Sequence, residues 1–314
     1  MELLRGKKIL VSGVANNMSL AAPMARTFKE HGAHVAITYQ NEPTFAKHAL
    51  KFAKSIGIDE SHAFACDVTV KEDVERCLSG VRDLFDDELD GFVHSIGWTD
   101  PPMLKVPFVD VLASEGLREN FRRTMEISVF SFLDMSYRAR ELMKKKRGGS
   151  IVTLTYDASN LAIEFYNLMA GAKGALEAFM RGLALAFGED NIRVNAISAS
   201  PEKTVSGLAV GNAYRLGSSE EAMSPFGRRA TPEEIANMAL YLMSDLSTAT
   251  TGQNMYVNCG RNSVGAAPIR NDPLVLKALG TDPKQREMIP VRSAQEPAVE
   301  HSENAGIPTE TEVA

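Results

Sequence analysis

Short apolar runs rich in β-branched residues alternate with amphipathic stretches along most of the chain. The stretch from Leu20 to His31, for example, repeats its apolar residues at helical spacing. Seven runs predict strands: Lys8–Ser12, His34–Tyr39, Ala63–Cys66, Gly91–His94, Ser150–Thr155, Arg193–Ile197 and Asn254–Val257. Short buried strands separated by helices need crossover connections and form a parallel sheet with both faces covered. The pattern therefore predicts an α/β fold, a single doubly wound Rossmann-type domain with a seven-stranded parallel sheet.

We expect this domain to span residues 1–262, with a C-terminal extension at 263–314. One of its helices is predicted to begin at Thr231–Glu234, where an N-cap hydroxyl, a proline and two carboxylates follow one another. The extension is acidic, poor in aromatic residues and without periodicity, apart from one short helix predicted at 272–279. Such a composition buries too little apolar area to offset its ordering entropy, so we expect the extension to be largely disordered.

The composition is that of an ordinary globular protein, with 44% hydrophobic and 24% charged residues. A net charge of -6 gives no broad basic surface, so nucleic acid is not an expected partner. We expect no membrane span and no signal peptide, because no apolar run approaches ~20 residues and the N-terminus runs directly into a strand. The three cysteines lie far apart and the six histidines form no metal-spaced cluster. We therefore expect a cytoplasmic protein without a metal site.

The turn after the first strand is a candidate phosphate-binding turn. It begins at Gly13 and reaches a predicted helix through Ser19 and Leu20. In a dinucleotide-binding fold this turn brings the backbone and a helix N-terminus close to the pyrophosphate. The G-x-G-x-x-G pattern is absent, so the turn alone fits an ordinary strand-to-helix connection equally well.

Polar or small residues also follow the next three predicted strands. Gln40 follows the second strand, Asp67 and Val68 follow the third, and Ser95–Gly97 follows the fourth. The carboxyl ends of parallel strands share one edge of the sheet, so these residues predict one extended dinucleotide site. No Arg or Lys comes directly after Gln40 to bind a 2'-phosphate, which favours NADH over NADPH.

Tyr166 and Lys173 are the candidate catalytic pair. Residues seven apart lie on the same face of a helix, so both side chains point towards the same edge of the sheet. A phenol there can stabilise or protonate an oxyanion, and a nearby ammonium can bind the nicotinamide ribose and lower the pKa of the phenol. The alternative interpretation of the isolated pair is a core tyrosine and a solvated lysine.

The spacing of these residues resembles one family closely. Ala170 stands four residues after Tyr166, where ordinary short-chain carbonyl reductases have their lysine, and Tyr156 lies ten residues before Tyr166. This arrangement resembles the NADH-dependent enoyl-acyl-carrier-protein reductase branch of the short-chain dehydrogenase/reductase superfamily. Five other stretches are similar to that branch: Gly13–Ser19, Thr38–Asn41, Asp90–Gly97, Arg193–Ser198 and Leu242–Ser247.

The resemblance implies hydride transfer from NADH to the β carbon of a trans-2-enoyl thioester, carried on acyl carrier protein or CoA. The resemblance implies three catalytic residues: Tyr166 would stabilise or protonate the enolate, Lys173 would bind the ribose, and Tyr156 would flank the acyl group and the thioester carbonyl. The implied cofactor contacts are Gly13, Ser19, Leu20, Gln40, Asp67, Val68, Ser95, Ile96, Gly97, Lys173 and Thr204. The resemblance further implies a mobile substrate-binding segment at residues 205–225 and a homotetramer.

The chain departs from the family pattern at several positions that border the expected site: Asp157, Glu164, Ser200, Glu202, Asn258 and Cys259. These departures leave the natural substrate open. Two other functions also stay open: a short-chain carbonyl or hydroxyl oxidoreductase on the same fold, and a non-catalytic nucleotide-binding paralogue.

Three further features have competing interpretations. Lys144–Arg147 ends a predicted helix, where cations complement the helix dipole, and this is favoured over a docking patch for an acidic carrier protein. Four other basic residues are better placed for such docking: Lys203, Arg215, Arg228 and Arg229. His94 lies in a buried strand and is expected to belong to the core.

Overall fold

Seven parallel strands form one sheet in the computed structural model, which describes residues 2–146, 148–201 and 213–266, with backbone only at 213–216. The strands are β1 Lys8–Ser12, β2 His34–Tyr39, β3 Ala63–Ala65, β4 Gly91–His94, β5 Gly149–Thr155, β6 Ile192–Ala199 and β7 Asn254–Val257. Their order is β3-β2-β1-β4-β5-β6-β7, and every pair is parallel. The predicted doubly wound fold is confirmed, and the strand order reverses between β1 and β4.

Helices connect the strands and cover both faces of the sheet. Those described are α1 Ala21–Glu30, α2 Pro43–Ser55, α3 Lys71–Leu84, α4 Phe108–Ala113, α5 Leu117–Met125, α6 Ser131–Lys145, α7 Asn167–Phe187, α8 Ala213–Met223 and α9 Pro232–Met243. A π-helical turn at Glu126–Phe130 joins α5 to α6. Helices α1, α2 and α9 pack on one face, and α3, α6 and α7 on the other.

Alternation along the central strands explains this two-sided core. Ile9 and Val11 of β1 pack with α1 and α9, whereas Leu10 between them packs with α3 and α6. Successive side chains of a strand point to opposite faces, so a strand covered on both faces has a continuous apolar run. This is why uninterrupted runs, rather than alternating ones, predicted these strands correctly.

The predicted start of α9 is confirmed in detail. The Thr231 hydroxyl accepts a hydrogen bond from the Glu234 amide at 3.2 Å, and the Thr231 amide donates to the Glu234 carboxylate at 2.8 Å. This reciprocal pair satisfies two amide groups that a helix start otherwise leaves without partners. The helix that this cap begins packs against α1 and against strands β5, β6 and β7.

The basic end of α6 makes ion pairs. Lys145 pairs with Asp87, and the Lys146 ammonium lies 3.1 Å from the Asp90 carboxylate. These contacts support the interpretation of Lys144–Arg147 as a helix end rather than a docking patch, although Arg147 itself lies outside the described residues. In the described ranges no helix is both long enough and apolar enough to cross a membrane.

All described residues fall in one compact unit, Met1–Asn271. The structure describes the predicted extension only as far as residue 266. Its predicted disorder, the short helix at 272–279 and the domain boundary at residue 262 therefore stay predictions.

Candidate active site

The turns after β1 and β4 touch at the point where the strand order reverses. Gly13 has φ +85°, and a Cβ built on it would lie 2.1 Å from the carbonyl oxygen of Ser95. Only glycine fits there, because any other residue would be strained in this left-handed backbone conformation and its Cβ would overlap with Ser95. In doubly wound sheets the crevice at this reversal is where ligands bind.

The rest of the β1–α1 turn is held by hydrogen bonds between Ser19 and Asn16. The Ser19 hydroxyl donates to the Asn16 carbonyl at 2.5 Å and accepts from the Asn16 amide at 3.2 Å. No side chain caps α1 at Leu20. An uncapped helix N-terminus carries partial positive charge, which suits the pyrophosphate of a dinucleotide.

The two strands beyond β1 place the predicted adenosine contacts side by side. Tyr39 pairs with Ala65 across β2 and β3, so Gln40 lies next to the residues that follow β3. Gln40 is exposed. The Asp67 carboxylate accepts bonds from the amide and hydroxyl of Thr69, at 2.9 and 2.7 Å, which fixes the turn that contains Val68.

Lys173 is buried next to the β4 turn. Its ammonium donates a hydrogen bond to the Leu154 carbonyl at 2.8 Å. Gly97 lies beside the ammonium, because a Cβ added to Gly97 would lie 3.7 Å from Lys173 Nζ. Burial lowers the pKa of Lys173 to about 8, and Glu177 opposes that shift. An ammonium has three donors. Only the bond to Leu154 occupies one of them within the described ranges, which leaves donors for a ribose.

Tyr156 and Tyr166 form the other wall of the site. Their ring centroids lie 5.1 Å apart at an interplanar angle of 67°, an edge-to-face contact. Tyr166 is the N-cap residue of α7 rather than a residue inside the helix as the spacing predicted. Burial raises the pKa of both phenols, and the Glu220 carboxylate raises that of Tyr156 further. Both hydroxyls therefore stay protonated at neutral pH, and that of Tyr156 donates a hydrogen bond to Glu220.

His94 belongs to the core, as predicted. Its Nε2 lies 2.8 Å from the Ser131 hydroxyl and its Nδ1 lies 3.3 Å from the Thr153 hydroxyl. Burial lowers the pKa of His94 to about 3, so the ring is neutral. Among the residues that the structure describes, no group of His, Cys, Asp and Glu is arranged to hold a metal ion.

Two departures from the family pattern contact each other. The buried Asp157 carboxylate accepts hydrogen bonds from the Ser198 hydroxyl at 2.8 Å and from the Asn258 amide at 2.9 Å. A third, Ser200, is buried and its hydroxyl accepts from the Ala230 amide at 3.3 Å. Asp157 and the Asn258 amide group therefore compensate each other in part, because a buried polar group without a partner is costly, whereas Asn258 Oδ1 has no partner among the described residues.

Sequence reasoning missed two residues of the site, Glu220 and Arg261. The Glu220 carboxylate accepts a hydrogen bond from the Tyr156 hydroxyl at 3.0 Å, and Arg261 Nε lies 3.3 Å from the same oxygen. Neither residue belongs to a recognisable motif. An acidic pair in a polar helix ordinarily predicts solvent exposure, so only the packing of α8 reveals that Glu220 points inward.

Part of the expected site lies outside the described residues. Thr204 and Glu202 are among these, and the predicted substrate-binding segment at 205–225 is described only from residue 213. Of the basic residues considered for carrier docking, Arg228 pairs with Glu234 at 2.8 Å and Arg229 pairs with Glu221 at 3.0 Å. Lys203 and the Arg215 side chain are not described.

Comparison with known proteins identifies the family. Residues 13–262 match the family model for enoyl-(acyl carrier protein) reductase. The chain belongs to this family. An NADH enoyl-[acyl-carrier-protein] reductase, FabI of Rickettsia conorii, is 40% identical over 273 residues, which cover 85% of this chain and 98% of that protein. The match spans both walls of the site, so the resemblance inferred from the tyrosine and lysine spacing is confirmed.

Solved structures agree with this family. An enoyl-(acyl-carrier-protein) reductase of Anaplasma phagocytophilum in complex with NAD is 36% identical, with a TM-score of 0.77, and covers 85% of this chain and 97% of that one. The Bacillus cereus enoyl-acyl carrier protein reductase with NADP+ and indole naphthyridinone is 35% identical, with a TM-score of 0.78, and covers 85% of this chain and all of that one. Relatives with this fold have thus been solved with either dinucleotide.

Proposed function

We propose that this protein reduces the trans-2 double bond of an enoyl thioester with NADH, in fatty-acid biosynthesis or a related specialised pathway. The observation that carries the proposal is the contact of Tyr156 with Tyr166 at the carboxyl end of β5, together with the buried Lys173 beside the turn after β4. The family membership and the named NADH reductases among its relatives support the same reaction.

The residues present fit a nicotinamide dinucleotide. The uncapped start of α1 suits the pyrophosphate, the exposed Gln40 and the turn at Asp67 suit the adenosine, and the Lys173 ammonium suits the nicotinamide ribose. When it is bound, NADH supplies the hydride. Ser95 and Ile96 lie against Gly13, and Gly97 lies beside Lys173. We therefore propose that these residues line the cofactor site together with Ser19, Leu20 and Val68. Thr204 is proposed as a further contact on the resemblance alone.

Tyr166 is proposed to stabilise the developing oxyanion with a hydrogen bond. Adding a hydride to the β carbon moves an electron pair onto the thioester oxygen, and the α carbon then takes up a proton. The phenol of Tyr166 is protonated at neutral pH, and burial raises its pKa further, so it can donate a hydrogen bond to that oxygen. Lys173 holds the ribose, and the edge-on ring of Tyr156 keeps Tyr166 in place.

A homotetramer in the cytoplasm is proposed as the working form. Four large apolar side chains are exposed: Phe130 at the end of the π-helical turn, Tyr137 on α6, and Phe179 and Leu185 on α7. A subunit interface would remove such side chains from water. The three cysteines are free thiols, as expected in a reducing compartment.

The decisive experiment measures NADH oxidation with crotonyl and acetoacetyl thioesters. We expect turnover with the crotonyl thioester and little with the acetoacetyl thioester. Tyr166→Phe should lower turnover by roughly 10- to 1000-fold while NADH affinity stays the same, since the ring keeps its packing. Tyr241→Phe is the matched control, because it removes a phenol that is bonded to Thr250 outside the site.

The alternative functions give different results in the same assay. Turnover of the acetoacetyl thioester alone would identify a carbonyl reductase. NADH binding without turnover of either thioester would identify a non-catalytic nucleotide-binding protein.

A further inference from the structure

A buried carboxylate on α8 reaches the tyrosine wall of the site. Glu220 is 4% exposed, and its Oε1 accepts the hydrogen bond from the Tyr156 hydroxyl at 3.0 Å. Arg261, in the turn after β7, lies 3.3 Å from the same oxygen through its Nε. We call this arrangement of Tyr156, Glu220 and Arg261 the Glu220 bridge. It joins the end of β5, helix α8 and the turn after β7.

The Glu220 bridge places a carboxylate and a guanidinium largely out of contact with water. Burial raises the pKa of Glu220, whereas Arg261 and the Tyr156 hydroxyl lower it. A carboxylate removed from water is costly unless a cation or hydrogen-bond donors compensate it, and here Arg261 and Tyr156 supply both. Removing one partner would leave the others buried without their counterpart.

The neighbouring acidic residue provides a contrast within the same helix. The Glu221 side chain is 44% exposed and pairs with Arg229 at 3.0 Å. A partly exposed ion pair of this kind contributes little to stability. Of these two adjacent carboxylates, therefore, only Glu220 is in a position to control the seating of α8 against the site.

The geometry also restricts the role of Tyr156. Its hydroxyl is 3.0 Å from Glu220, and its ring packs edge-on against Tyr166 at 5.1 Å. A tyrosine hydroxyl can donate one hydrogen bond, and here the Glu220 carboxylate accepts it. Tyr166 is then the phenol that is left to donate to a substrate oxygen, and Tyr156 forms a wall whose position Glu220 sets.

We propose that Glu220 is a positioning residue, which seats α8 against Tyr156 through the charge of Arg261 and thereby sets the affinity for the acyl substrate. This inference rests on the proposed enoyl-thioester reduction for its kinetic consequence. Its structural consequence, the seating of α8, does not depend on the substrate.

The test replaces Glu220 by Gln, which keeps the size and an acceptor for Tyr156 but removes the charge that pairs with Arg261. We expect KM for the crotonyl thioester to rise at least fivefold, kcat to change less than threefold, and NADH affinity to stay the same, the fivefold rise corresponding to about 1 kcal/mol. The double variant Glu220→Gln/Arg261→Gln removes both charges and should recover most of the KM. Glu221→Gln is the matched control and should behave as the wild type.

Hydrogen exchange supplies a readout that needs no substrate. The amides of α8, residues 213–223, should exchange faster in Glu220→Gln than in wild type or Glu221→Gln, and should slow again in the double variant. An unchanged KM together with unchanged exchange would overturn the proposal. So would a loss of kcat or of NADH affinity in Glu220→Gln, because either loss would place Glu220 in the chemistry or in the cofactor site.

The two proposals fail in distinguishable ways. If wild-type protein reduces no enoyl thioester while α8 exchange responds to Glu220→Gln, the proposed function is wrong and the bridge is real. If the wild-type protein reduces the enoyl thioester and Glu220→Gln changes neither KM nor the exchange of α8, the proposed function is supported and the positioning role of Glu220 is wrong.

Discussion

Replacing the buried Lys173 by Met should weaken NADH binding as well as turnover. The methionine side chain fills similar space but has no charge and no donor. The ammonium it replaces is 8% exposed and uses one donor on Leu154, with Gly97 leaving room beside it. A hydrogen bond from a charged group contributes about 1.5–3 kcal/mol, so the Kd for NADH should rise by roughly 10- to 150-fold.

The same residue gives a pH dependence with a definite sign. Burial lowers the pKa of Lys173 to about 8, so in the free protein the ammonium is present below that pH and is lost above it. NADH affinity should therefore be constant at acidic and neutral pH. Above the pKa it should fall, by at most about tenfold for each further pH unit, until it reaches the affinity of the Lys173→Met variant.

Fluorescence titrations of NADH across this pH range would check both expectations. The Lys173→Met variant should bind weakly at every pH and show no break. Lys29→Met is the matched control, since Lys29 also donates to a carbonyl, that of Gly57 at 2.7 Å, but at the surface. Normal NADH affinity in Lys173→Met, or a flat profile in the wild type, would refute the assigned role.

The remaining predictions concern the cofactor, the glycine turn and the C-terminal extension. NADH should be used at least ~10-fold more efficiently than NADPH, about 1.4 kcal/mol, because no cation directly follows Gln40; equal kinetics would contradict this. Gly13→Ala should lower stability by roughly 2–4 kcal/mol and weaken NADH binding, because of its φ of +85° and the overlap with Ser95. Gly188→Ala, at a helical backbone position where an added Cβ meets nothing within 4 Å, is the control and should be neutral or slightly stabilising in a thermal melt. Deleting residues 267–314 should shift Tm by less than about 3 °C, and a larger drop or a change of oligomeric state would show that the extension packs on the folded part.

The sequence predicted the sheet well because each strand is buried on both faces. Such strands are unbroken apolar runs, and four of the seven match their predicted bounds, among them β1 and β4. β6 instead extends to Ala199, because its carboxyl end pairs with β5 and β7. Pairing with neighbours across the sheet is tertiary information, which a local pattern does not contain.

The candidate site was predictable where chemistry depends on spacing along one element, and not where it depends on packing between elements. Tyr166 and Lys173 were predicted from their interval along one helix, and the structure places Tyr166 at the N-cap of α7 and Lys173 inside it. The bond from Tyr156 to Glu220 joins residues 64 positions apart. Asp157 and Asn258 meet across 101 positions, and each alone looked like an unexplained departure. Only the fold shows that they are partners.

The most direct test of the central claim follows the hydride itself. The wild-type protein would be given a crotonyl thioester and NADH deuterated at its transferable position, and the product would be analysed by mass spectrometry and NMR. Reduction as proposed places one deuterium on the β carbon of a saturated butyryl thioester. Recovery of unlabelled crotonyl thioester, with deuterium appearing only in the hydroxy product of an acetoacetyl thioester, would contradict it.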